Sequence, residues 1–389
     1  MKYRIITLLA AVMLTAAAAF ADGIAISHGP YLQNITETSA TIVWTCNRQS
    51  TGWVELAPDD GSNFYACERP RYYDTNIGIR VTDTIHAVRL SGLRPGVVYR
   101  YRIYSQEVLS HHGFDVRYGQ VAATNVFSQK PLAFRTNDRS KPSTSFVVLN
   151  DIHARQNLIT PLLRQAGYEK RDMVIYNGDM VSQLNSQDDL FTGFMDESVG
   201  LFAKEKTFYY VRGNHETRGA FATEIQRYFC PREPHLYYSF RQGPVFFIML
   251  DTGEDKPDTD IEYSSITDYD NYRTEQAEWL KAVVQTDDFK SARYKVVIAH
   301  VPPQTDAEGA WHGPKEVAAK FVPILNDAGI DLMICAHLHR TIYYKPDAMH
   351  KFPVIVNSNN TCLTGDTEGG KLNIAILDAE GKKSFAESY

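Results

Sequence analysis

Residues 22–136 alternate apolar and polar positions in short runs separated by turn residues, the period-two pattern of half-buried strands. Ile42, Trp44 and Cys46 share one face of such a run, and Tyr99, Tyr101 and Ile103 share a face of another, with Arg100 and Arg102 opposite. Further strand-like runs at 53–56, 87–90 and 132–135 have the spacing of an all-β sandwich. Pro95-Gly96 marks a turn, and Tyr99, just inside the next run, is placed to return its hydroxyl to nearby backbone as a tyrosine corner. The polar residues 137–144, with Lys141-Pro142, read as a linker. From residue 145 to 389 the pattern changes to continuous apolar runs alternating with helix-period segments, which predicts an α/β domain with mostly apolar central strands. Thr274 is expected to cap a helix through Val284, and Pro314 to open another through about Leu325.

The first 21 residues stand apart from both patterns. Lys2 and Arg4 precede an apolar run at 5–20 that closes on Ala19-Phe20-Ala21, the small-x-small site of a signal peptide. That run is shorter than the ~20 residues a spanning helix needs. The expected product is therefore exported, periplasmic or secreted, without membrane insertion. Its removal takes away two positive charges and no negative ones, moving the formal charge from −6 to −8.

Length and charge narrow the picture further. At about 100–200 residues per domain, 389 residues suit two domains. No block of Lys or Arg offers a footprint for nucleic acid or an anionic membrane. The five cysteines are odd in number and lack Cys-x-x-Cys spacing, which excludes a zinc or redox motif; Cys46 and Cys67 are close enough in the chain to pair.

Five apolar runs lead directly into polar signatures. Phe146-Val147-Val148-Leu149 precedes Asp151-Ile152-His153, and Met173-Val174-Ile175-Tyr176 precedes Gly178-Asp179. Phe208-Tyr209-Tyr210-Val211 precedes Gly213-Asn214-His215-Glu216, Lys295-Val296-Val297-Ile298 precedes His300, and Leu332-Met333-Ile334-Cys335 precedes Ala336-His337-Leu338-His339. Side chains just past the carboxyl ends of strands in an open α/β sheet gather in one crevice. Two Asp, one Asn and five of the twelve histidines would meet there. Each signature alone is common; all five in this order are not. Imidazole, carboxylate and amide donors without thiolate suit Mn, Fe or Zn. Eight groups are too many for one catalytic cation with an open position, and two cations sharing a carboxylate use them economically.

On these motifs, from Asp151 to His339, the second domain resembles the calcineurin-like metallophosphoesterases. The resemblance implies a four-layer αββα fold, a double β-sandwich flanked by helices. It also implies one metal on Asp151, His153 and His339, a second on Asn214, His300 and His337, and Asp179 bridging them. Further, it implies a metal-held hydroxide as nucleophile and His215 as general acid toward the leaving oxygen. The first domain resembles a fibronectin type III domain. The pairing of the two resembles purple acid phosphatases, with two departures. Ser182 stands where those enzymes have a metal-ligand tyrosine, and His153 supplies a histidine their first motif lacks. Ligand count is kept, and the tyrosinate–iron chromophore is expected to be absent.

The implied activity is hydrolysis of a small phosphate ester, first a monoester, with a phosphodiesterase or nucleotide pyrophosphohydrolase as the alternative. A noncatalytic, metal-stabilised binding module is the rival from another class, and His215 counts against it. Arg155, Arg212 and Arg218 flank the motifs, and Trp311 and His312 follow His300, without being assigned to the site. Residues 251–272 carry eight acidic residues and one lysine, which suits either a lid or a solvated loop.

Overall fold

The computed structural model describes residues 23–304 and 309–389, so the expected signal peptide lies outside the described residues. The alternating N-terminal pattern forms strands, with one difference from expectation. The runs around Trp44 and Trp53 belong to one strand of 20 residues, Ser39–Pro58. Its first half pairs with Ile26–Gln33 and Asp83–Ser91, its second half with Val98–His112 and Arg71–Tyr73, and the register shifts between Thr45 and Ser50. One long strand thus joins all of these partners in a single seven-stranded sheet, and Ile42, Trp44, Cys46, Tyr101 and Ile103 belong to its core. The tyrosine corner is present: the Arg94 N–H donates to Tyr99 Oη at 2.9 Å.

The remaining strands form two six-stranded sheets rather than one open sheet. Phe208–Val211, Met173–Asn177 and Ser145–Leu149 run parallel in the first, and Val245–Leu250, Tyr294–Ala299 and Leu332–Cys335 run parallel in the second. A shared core containing Phe146, Val148, Ile175, Phe247, Val296 and Ile334 lies between the sheets. Leu162, Leu163 and Phe194 cover the outer face of the first sheet, and Leu280, Val317 and Leu325 cover that of the second. This is the four-layer αββα arrangement. Strands buried on both faces explain the continuous apolar runs. The N-terminal sandwich docks on the first sheet's outer side, where Tyr31, Val43 and Ile85 join the same core and Tyr31 Oη donates to the Tyr228 carbonyl at 2.9 Å.

Two helix expectations change. The helix expected at Thr274 starts earlier, at Tyr269–Val283. Its first N–H groups, at Tyr269 and Asp270, donate to the Asp258 carboxylate at 2.8 and 2.9 Å, a cap from eleven residues upstream. Thr274 lies within the helix and donates its hydroxyl to the Asp270 carbonyl. The helix expected from Pro314 to Leu325 is two, His312–Lys320 and Val322–Ala328. Pro323 has no N–H to continue the first, and its fixed φ suits the opening of the second. All five cysteines are free, with Cys46 buried and Cys67 exposed. Among the described residues no helix is long and apolar enough to cross a membrane.

Candidate metal centre

Sheet register brings the five signatures to one level. Leu149 pairs with Tyr176 and Tyr176 with Tyr210, while Ile298 of the other sheet pairs with Ile334. The polar residues that follow therefore leave both sheets at the same end of the sandwich. Backbone bonds tie the loops together: Asp151 N–H donates to the Gly178 carbonyl, His153 N–H to that of Asp179, and Ala336 N–H to that of His300. Asp151, His153, Asp179, His337 and His339 all have φ between 48° and 71°. Left-handed backbone at non-glycine residues costs energy and persists where the surroundings over-determine it. The glycines are steric requirements. A Cβ on Gly213 would sit 2.2 Å from Asp179 Oδ1, and one on Gly178 (φ +79°) would sit 2.6 Å from the Gly213 Cα.

The donor atoms fall into two groups. In the first, His339 Nε2 lies 3.2 Å from Asp151 Oδ1 and 3.1 Å from His153 Nε2, and His153 Nε2 lies 3.9 Å from Asp179 Oδ2. Asp151 Oδ2 is occupied by N–H donors from Asn150 and His337, leaving Oδ1 buried with no hydrogen bond. In the second, Asp179 Oδ2 lies 3.2 Å from His300 Nε2. The amide atom that Asn214 turns inward lies 3.2 Å from His337 Nδ1 and 3.3 Å from both His300 Nε2 and Asp179 Oδ2. Donors around a tetrahedral cation with bonds of about 2.0–2.2 Å are separated by roughly 3.3–3.6 Å. By hydrogen bonding alone, Asn214 would present its amide nitrogen to these acceptors and its oxygen to Arg218; a cation among them selects the oxygen. The residues fit a pair of cations.

Hydrogen bonds prepare the histidines for this. His300 Nδ1–H donates to the Asn177 carbonyl at 2.8 Å, which leaves the Nε2 lone pair facing inward. Burial works against charge on His300, yet the carboxylates of Asp179 and Asp151 push its pKa up to about 10. Burial also opposes charge on Asp179, but His300 and His215 hold its carboxyl well below the usual carboxylate range. Burial lowers the pKa of His153. His215 stands beside both groups. Its Nδ1–H donates to the Ser182 carbonyl at 2.9 Å, and its Nε2 lies 3.8 Å from Asp179 Oδ2.

Two residues without an assigned role in the sequence reading stand out. Glu216 is fully buried, and its carboxylate accepts the N–H groups of Asp179 (2.9 Å), Met180 (2.6 Å), Val181 (3.2 Å) and Gly213 (3.0 Å), clamping two motif loops together. Burial and the Asp179 charge push its carboxyl up to about 7, against the pull of those donors. Replacing Glu216 with Gln puts an amide nitrogen against N–H groups. We expect Glu216→Gln to lower the unfolding free energy of the metal-free protein by about 3 kcal/mol in urea titration; an unchanged midpoint would contradict the clamp. Asp255, from the acidic stretch, reaches His337, its Oδ1 3.1 Å from Nε2. Membership in the Gly-Asn-His-Glu motif was the available signal for Glu216, and none singled out Asp255.

The acidic stretch is only partly solvated. Asp251, Thr252, Glu254 and Asp255 are buried, and Asp255 lines the cleft together with Lys256, Glu262 and Tyr263. Arg218 pairs with Glu254 at 2.6 Å and lies 3.3 Å from His215 Nε2. Trp311 lines the same cleft with Lys256 over its ring. Arg155 instead braces the first loop through the carbonyls of Asp151, Ile152 and Asn359, and Arg212 pairs with Asp251. His312 bonds Asp270 outside the cleft.

The calcineurin-like phosphoesterase family model matches residues 144–341, half of the chain. This chain belongs to that family. Purple acid phosphatase 18 of Arabidopsis thaliana is 29% identical over 204 residues, covering 50% of this chain and 40% of that protein. Purple acid phosphatase 22 of the same plant is 21% identical over 310 residues, covering 75% and 63%. The matches thus span 40% and 63% of these relatives' own lengths. A purple acid phosphatase from yellow lupin (Lupinus luteus) seeds superposes with a TM-score of 0.67 at 15% identity, over 92% of this chain and 73% of that one. Such coverage extends the common fold beyond the phosphoesterase domain into the N-terminal sandwich.

Proposed function

We propose that this protein hydrolyses phosphate esters, phosphomonoesters first, at a centre of two cations. One is assigned to Asp151, His153 and His339, the other to Asn214, His300 and His337, with Asp179 between them. The observation that carries this reading is Asp179 Oδ2, which borders both donor groups, 3.9 Å from His153 Nε2 and 3.2 Å from His300 Nε2. When bound, two cations drawn from Mn, Fe or Zn supply the activation of a water and positive charge for the phosphoryl oxygens. The chain's own groups do the rest. The Ser182 carbonyl keeps one proton on His215 Nδ1, so the second proton of the imidazolium form sits on Nε2, which delivers it to the leaving oxygen and is left with a lone pair. Arg218 and Lys256 bring positive side chains to the cleft, and Trp311 offers an apolar wall to the leaving group. A cleft of about 330 Å³ suits a small ester.

The test is turnover of a nitrophenyl phosphate monoester against the corresponding bis-ester by protein loaded with each metal. The monoester is expected to react faster; the reverse order moves the substrate to diesters, and no turnover with Mn, Fe or Zn overturns the reading. Iron-loaded protein is expected to lack a visible charge-transfer band, because Ser182 has no phenolate to offer. Such a band in the absorption spectrum would count against the ligand set.

A further inference from the structure

The loop after the Val245–Leu250 strand brings a carboxylate to the back of the second donor group. Asp255 is 4% exposed. Its Oδ2 accepts from Asn214 Nδ2 at 3.4 Å, and its Oδ1, which makes no hydrogen bond in the fold, lies 3.1 Å from His337 Nε2. The same two residues face each other at the other end, with His337 Nδ1 3.2 Å from Asn214 Oδ1. Each therefore has one polar atom turned into the donor group and the other turned to Asp255.

We propose that Asp255 is the positioning residue of the second metal position: one carboxylate whose Oδ2 takes the Nδ2–H of Asn214 and whose Oδ1, 3.1 Å from His337 Nε2, takes the Nε2–H when Nδ1 is given to a cation. This rests on the two-cation reading above. A neutral imidazole carries one proton, and an acceptor at Nε2 keeps it there, leaving the Nδ1 lone pair for a cation. An amide has two orientations of similar shape, and an acceptor beside Nδ2 favours the oxygen inward. Here that preference is needed, because Arg218 Nη2 on the same side favours the reverse. Asp255 is itself held in place. Its carbonyl accepts the Gly313 N–H at 2.6 Å, in a contact where a Cβ on Gly313 would meet the Glu254 carbonyl at 2.3 Å. The fully buried Arg273 grips the carbonyls of Thr252 and Glu254 on the way into it. A carboxylate so strapped orients its neighbours instead of following them.

Asparagine at this position offers one acceptor and one donor, so it cannot take both N–H groups. The experiment is titration of metal-free protein with Zn²⁺ in competition with a chromogenic chelator, for the parent, Asp255→Asn and Asp255→Ala. Two sites are expected in the parent. In both variants one site is expected unchanged and the other weakened about 10- to 100-fold. Metal-free melting temperatures are expected to fall by no more than a few degrees, since without a cation the carboxylate makes one long hydrogen bond to these two residues, from Asn214 Nδ2 at 3.4 Å. Two unchanged sites in both variants overturn the inference, as does a lowered metal-free Tm with both affinities kept. A parent that binds fewer than two ions overturns the two-cation reading itself, and the inference falls with it; the parent titration tells the two failures apart.

Discussion

Asp179→Asn is expected to keep the fold and lose turnover by about a thousandfold or more, roughly 4 kcal/mol of transition-state stabilisation. The fold survives because asparagine reproduces both contacts. Its oxygen accepts the His215 N–H, as Asp179 Oδ1 does at 2.9 Å, and its amide nitrogen faces His300 Nε2, as Oδ2 does at 3.2 Å. What it cannot reproduce is a negative charge bordering both donor groups. Two divalent cations held about 3.5–4 Å apart repel strongly unless a carboxylate stands between them. Metal per chain should therefore fall from two toward one, measured by elemental analysis alongside kcat/KM. Two metals and near-parental kcat/KM in the variant would remove Asp179 from the bridging role.

His215→Ala should leave both cations bound and slow the reaction in proportion to the leaving group's need for a proton. Its Nδ1–H is committed to the Ser182 carbonyl and its Nε2 stands 3.8 Å from Asp179 Oδ2, beside the donor groups without belonging to either. Loss of a general acid costs about a hundred- to ten-thousandfold. That loss is expected in full on an alkyl phosphate, whose alkoxide leaves poorly, and only in small part on a nitrophenyl phosphate, whose phenolate leaves without help. Equal losses on both substrates would assign His215 to substrate positioning or loop structure instead of proton delivery.

The residues differ in how legible they were. Asp151, Asp179, Asn214, His300 and His337 announce themselves because each follows an apolar run, and a strand buried on both faces has no other reason to end in such groups. The tyrosine corner at Tyr99 was equally visible, being a contact over five residues. Helix starts were not. The Tyr269 helix takes its cap from Asp258, which no window around Thr274 would weigh. The division of the strands into two sheets was also beyond local pattern, since an apolar run reads the same in either sheet. Asp255 was hidden among eight acidic residues that look alike until burial separates them.

The sequence by itself determined the kinds of donor available and their order along the chain, since strand, turn and motif are properties of a few adjacent residues. It also determined the absence of a tyrosine at Ser182 and the presence of His153 in the first motif. Only the tertiary structure decided which atoms face one another. Asp151 and His339 are 188 residues apart in sequence and follow strands of different sheets, and their 3.2 Å approach follows from the stacking of those sheets over a shared apolar core. The four N–H bonds of Glu216 and the two contacts of Asp255 exist for the same reason. Hydrogen bonds and ligand geometry act over about 3 Å, and only packing brings distant parts of a chain within that range.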